Sequence, residues 1–163
     1  MSIRRQQGFL LIEGLIAILI FSLGVLGLVA MGARAVSTQS DAQYRTYAAQ
    51  LADEMANRIA VGVNRTTGNT SIQADLPNFQ HHADGGDCAN TFSGAASARS
   101  DVLAWVDRVS TAGAGLPGLP GAAALNQQIL VNTAASNQVQ ITICWRAPSD
   151  TAVRQHTLVT YIN

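Results

Sequence analysis

Lysine is absent from the 163 residues: the ten basic side chains are all arginine, and ten acidic residues balance them to a formal net charge of zero. A chain without cationic surplus has no general attraction for nucleic acid or anionic lipid, since both depend on excess positive charge. Proline is scarce as well. None precedes Pro77, so nothing in the first 76 positions forces a helix to break. Cysteine is confined to Cys88 and Cys144. With no C-x-x-C spacing, the signature of a thiol-redox centre or zinc ribbon is missing. No G-x-S-x-G elbow or comparable nucleophile motif occurs, so the chain is expected not to be an enzyme and to need no cofactor.

What the sequence does have is strongly asymmetric. Residues 1–8 read MSIRRQQG, a short polar leader with Arg4 and Arg5. The 23 residues from Phe9 to Met31 that follow are almost wholly apolar. As a helix they would extend about 35 Å, enough to cross a bilayer core with some tilt. The positive-inside rule keeps the two arginines cytoplasmic and sends the far end outward. A secretory signal peptide would have a shorter apolar stretch followed by a small-x-small cleavage site; here the apolar run is too long for that, and no clear cleavage signal follows it.

Glu13 interrupts this run. A carboxylate at the centre of a membrane helix costs about 2.5–3.5 kcal/mol on insertion scales, less near the interface. Either it reaches back to the cytoplasmic boundary or it meets a cation supplied by something else. Gly14, Gly24 and Gly27 also fall in the apolar half. They fit close helix packing or local melting, and equally the ordinary tolerance of glycine in lipid.

The string Gln7-Gly8-Phe9-Leu10-Leu11-Ile12-Glu13, behind a basic leader, resembles the class III signal of type IV prepilins and type II secretion pseudopilins. Leu10 stands where that signal commonly has threonine. The resemblance implies cleavage between Gly8 and Phe9 by a membrane prepilin peptidase, with methylation of the new Phe9 amine. It also implies that Glu13 pairs with the Phe9 ammonium of a neighbouring subunit. Each charge alone is costly in hydrocarbon; paired, they favour assembly and set its register.

Beyond Met31, apolar residues recur at helical spacing: Tyr44, Tyr47, Ala48, Leu51, Met55 and Ile59, with polar residues between them. The pattern predicts one helix from Phe9 to about Val61, roughly 80 Å long, stopped near Gly62 and Asn64. Its second half would pack against a domain core. Residues 63–97 read as loops with one short strand around 71–76. A second helix is expected with Ser97 or Ser100 as cap and Val102, Leu103, Val106 and Val109 as its apolar face. A Gly/Pro-punctuated loop follows, then strands at 128–133, 138–146 and 153–162. The expected fold is α+β: a long N-terminal helix, membrane-spanning in its first half, packed on a small antiparallel sheet head. The expected divisions are 1–8 leader, 9–31 transmembrane and filament-core half, 32–62 amphipathic half, and 63–163 head.

A narrower resemblance lies in Asp101-x-x-x-Trp105, Leu116-Pro117-Gly118 and Val139-x-Ile141-x-Ile143-x-Trp145, together with the helical segment from Gln50 to Arg58. These are similar to the minor-pilin family called type IV pilus modification protein PilV, although LPGLPG replaces the usual LPGG. That family implies a low-abundance subunit joining other minor pilins and the major pilin in a complex that primes pilus assembly at or near the tip. It implies an inner-membrane assembly platform and a tip adhesin as further partners, and roles in adhesion and twitching motility. The subunit would be single-pass in the inner membrane with a periplasmic head, then extracellular in the pilus. The alternatives are a type II secretion pseudopilin, or a pilin-anchored tip module that binds DNA or a host receptor.

If the head is exported, the even cysteine pair reads as one disulfide, Cys88–Cys144, contributing roughly 4 kcal/mol by the chain-entropy model. Two buried free thiols are the alternative. The run His81-His82-Ala83-Asp84-Gly85-Gly86-Asp87 matches neither zinc nor EF-hand spacing and reads as a solvated polar loop, with no metal site. His156 is expected at the surface. Trp105 and Trp145 are expected in the core. Arg99, Arg108, Arg146 and Arg154 are expected to be scattered rather than gathered into a patch.

Overall fold

The computed structural model describes residues 7–111, 118–148 and 150–163, the side chains of 7–10, 33 and 37 excepted. The leader arginines Arg4 and Arg5, and the Leu116-Pro117 part of the expected turn, lie outside the described residues. Contacts divide the chain into two compact units between Ser40 and Asp41.

Helix α1 runs Gln7–Gly62. Within the first unit its large apolar side chains from Leu11 to Met31 are all exposed, from 42% at Val25 to 73% at Met31. Within the second unit the same helix is amphipathic. Ala48, Leu51, Ala52, Met55 and Ile59 are buried, with Tyr44 and Tyr47 packed beside them. The steps of three and four residues keep this row on one helix face. Glu54, on the polar side, pairs with Arg58 one turn on at 2.7 Å and with Arg108. The helix stops at Gly62. Asn64 then turns the chain, accepting from the Thr66 amide at 2.9 Å while its own amide donates to Asp75 at 2.9 Å.

A short helix α2, Asn69–Asp75, and a 3₁₀ turn, Leu76–Phe79, occupy the place where a strand was expected around 71–76. The reason is spacing. Ile72, Leu76 and Phe79 recur at helical intervals and are the buried positions, whereas a strand would need alternation. Pro77 sits in the first turn of the 3₁₀ segment, where its missing N–H costs nothing.

Helix α3, Ser100–Ser110, buries Val102, Trp105, Val106 and Val109. Leu103, expected on that face, is 43% exposed, and Trp105 takes the place in the core. Neither Ser97 nor Ser100 caps it: Arg99 is at the cap position, with no side-chain cap bond. Asp101 does part of that work, accepting from the Val102 amide at 2.9 Å and holding the Arg99 guanidinium at 2.9 Å. Acid in the first turn and Arg108 in the last both oppose the helix dipole.

The strands are β1 Gln127–Asn132, β2 Gln138–Trp145 and β3 Arg154–Tyr161, antiparallel in the order β1-β2-β3. The first hairpin closes with Asn132 opposite Gln138. Its turn uses left-handed Ser136 and Asn137, a conformation that asparagine tolerates. Ile129, Val139, Ile141, Ile143 and Trp145 alternate onto one sheet face and join the α1 stripe and the buried residues of α3 in a single core. The second unit is therefore an α+β head, with the amphipathic part of the long helix packed with the sheet.

Candidate functional site

Two features stand apart from this core, one in each unit. The first is the apolar half of α1. The helix is long and apolar enough to cross a membrane, and the described residues of that stretch are unburied within the chain. Apolar surface of this extent is not stable facing water; lipid or other protein must cover it. Gly8 and Phe9 lie in the first turn of α1, and Glu13 follows one turn later, exposed among Ile12, Leu15 and Ile16. No described residue pairs with Glu13, and the next basic residue along the chain is Arg34.

The second feature is the segment between the 3₁₀ turn and α3, folded over the outer sheet face. A disulfide joins Cys88 to Cys144, with Cα atoms 5.5 Å apart. Cys144 points outward from β2, away from the main core, and Phe92 and Val153 complete a small second cluster around the bond. The same segment contradicts the expectation of a solvated histidine loop: His81 is 2% and His82 7% exposed. The main chain of His81 exchanges two hydrogen bonds with Ile129 of β1, at 3.1 and 3.0 Å. His82 donates its amide to Ala95 at 2.9 Å, and Gln128 donates its side-chain amide to the His82 carbonyl at 2.9 Å. No hydropathy pattern marks these histidines for burial. Strand pairing to β1 carries them in. His156, expected at the surface, is half-buried, because its register opposite Ile143 turns it toward the inner face.

Along this segment lies a cleft of about 510 Å³ whose walls include Asn78, Gln80, Asp84, Ser97 and Arg99. It holds no assembled nucleophile and base: the Ser97 hydroxyl donates to the Asn78 carbonyl at 3.0 Å and accepts from the Arg99 amide. Among the described residues no three His, Cys, Asp or Glu side chains gather in a way that could hold a metal ion. Three of the four arginines weighed as a patch are held by separate acids. Arg99 meets Asp101 and lies 3.7 Å over the Phe79 ring; Arg108 meets Glu54; Arg154 meets Asp41 and Asp150. Hydrogen bonding and charge from Asp101 and Asp150 hold the Arg99 and Arg154 guanidinium groups firmly cationic, and the two carboxyls are pulled below their ordinary range in return.

Trp105 and Trp145 are both core residues. Sequence reasoning missed the Asp41–Arg154 ion pair, which joins residues 113 positions apart. No local pattern announces such a pair. No family model, curated protein or solved structure matches the chain.

Proposed function

We propose that the chain is a minor subunit of a type IV pilus, exported as a prepilin, cut after Gly8 and polymerised through the apolar half of α1. The observation that carries this reading is Glu13: an exposed carboxylate one helical turn after Phe9, in an apolar helix with no described cation to neutralise it. A new amine on Phe9 of an adjacent subunit supplies the missing charge, and the surrounding apolar surface is buried as the helices bundle. The head is displayed outside, where an oxidising compartment suits the Cys88–Cys144 bond. On this reading the subunit passes through the inner membrane with its head in the periplasm, then enters the filament near its tip. It acts with other minor pilins to start assembly, and so supports adhesion and twitching motility.

Mass spectrometry of filaments sheared from cells tests the proposal. A methylated N-terminus at Phe9 in the filament fraction supports it, as does loss of incorporation in Glu13→Ala while the protein remains in the membrane. A mature protein that keeps residues 1–8 overturns it. A processed protein found only in the cell envelope, never in sheared filaments, replaces it with a secretion pseudopilin. A Glu13→Ala variant that still incorporates removes the electrostatic argument.

A further inference from the structure

We infer that His81 is an acid-released latch, whose protonation frees the 80–98 segment from the side of β1 while the Cys88–Cys144 bond keeps that segment tethered. His81 Nδ1 accepts the Ser97 amide at 3.1 Å, inside the head. A ring nitrogen that accepts must carry a lone pair, so the neutral ring has its proton on Nε2. That Nε2 is buried and forms no hydrogen bond of good geometry; the Ala124 carbonyl is the one acceptor that favours the cation.

Protonation would place an N–H at Nδ1 directly against the Ser97 N–H. Two donors would then face each other, and one bond of the latch would be lost. The new cation would have nothing to neutralise it. Its own segment offers His82, with ring centroids 4.1 Å apart, and a second positive charge there would oppose the first. The 95–98 stretch offers Ser97, β1 offers Ile129, and the 3₁₀ turn Ala124–Asn126 offers a carbonyl. Among the described residues no carboxylate acts on the ring. Burial first, and His82 second, push the His81 pKa down to about 4.

His82 behaves differently. Its Nδ1 lies 3.0 Å from the Gly94 carbonyl, which can only accept, so His82 carries its proton there and is the donor of that bond. The adjacent histidines thus hold opposite tautomers, and of the two ring bonds only that of His81 is one in which the ring accepts.

With the ring released its pKa is near 6.5, and latched it is about 4, so the released form binds the extra proton in between. Its population rises about tenfold for each pH unit of that interval. Release dismantles one wall of the cleft beside Ser97 and Arg99 and bares the main chain of Ile129.

The test is amide hydrogen exchange by NMR on the full chain in detergent micelles between pH 7 and 4.5, corrected for intrinsic exchange. The Ser97 and Ile129 amides report the latch; the Trp105 indole N–H, bonded to the Leu51 carbonyl, reports the core. Protection at Ser97 and Ile129 should fall by at least tenfold from pH 7 to pH 5 while the Trp105 signal is unchanged. In His81→Asn, whose side-chain oxygen can still accept from Ser97 but does not titrate, the latch protection should become independent of pH. Equal pH dependence in His81→Asn overturns the proposal, as does loss of core and latch protection together. Should His81→Asn fail to fold, ¹⁵N shifts of the wild-type ring decide: a proton on Nδ1 at pH 7 also overturns it.

Discussion

Trp105 donates its indole N–H to the main-chain carbonyl of Leu51 at 2.8 Å, across 54 residues of sequence. The bond ties α3 to the amphipathic half of α1 at the centre of the core, where Trp105 is fully buried. The bond lets a large apolar ring fill the core without leaving its donor unsatisfied. Trp105→Phe keeps most of the volume and removes the donor, so it should lower stability by about 1–2 kcal/mol. Trp105→Ala also opens a cavity and should cost about 3–5 kcal/mol. Urea unfolding of the solubilised full chain, followed by the fluorescence of Trp145, measures both.

Removing the disulfide should cost roughly as much as the larger of those. The bond spans a sequence separation of 56, and the chain-entropy model assigns a closed loop of that size about 4 kcal/mol. Cys88→Ala with Cys144→Ala should therefore shift the urea midpoint strongly. The folded double variant should also show faster exchange in the segment around Phe92, which loses its tether. A shift under about 1 kcal/mol would mean that the hydrogen bonds shared with Ile129, the one donated by Gln128 and the one accepted by the Leu125 carbonyl hold the segment unaided.

The fold was largely legible from periodicity, and its failures share a cause. The α1 stripe from Tyr44 to Ile59 and the alternation of Val139, Ile141 and Ile143 come from one element each, so local sequence carries them. The 71–76 segment was misread because its two buried positions, Ile72 and Leu76, sit in a stretch too short to show a period without Phe79. The histidine pair was misread because its burial is imposed by Ile129, nearly 50 residues away. Glu13 was conspicuous because an acid in an apolar run is costly wherever it is placed. The Cys88–Cys144 pairing was foreseeable by arithmetic alone, but its position on the outer sheet face was not, since that depends on β2 register.

Acid should weaken the head through its carboxylates too, in a lower window than His81. Hydrogen bonding from Arg99, then the Val102 amide and the charge of Arg99, hold Asp101 below its ordinary value near 3.8. Above that value both folded and unfolded chains are ionised and the full stabilisation is present. As pH falls below it, the unfolded chain takes up the proton first, and stability is lost down to the folded pKa. Asp101→Asn should remove this part of the pH dependence and lower stability at pH 7 by under about 1 kcal/mol, because the pair is partly open to solvent. Unfolding curves of both proteins between pH 7 and 3 would show the difference, and parallel curves would contradict it.

Cys88 precedes all three strands in the chain, while Cys144 belongs to the middle one. The fold sets the two thiols together by laying β2 beside the earlier segment, and no third cysteine exists to capture either of them. Once oxidised, the bond fastens the central strand to a segment that precedes the whole sheet, so β2 cannot leave the sheet without carrying that segment along.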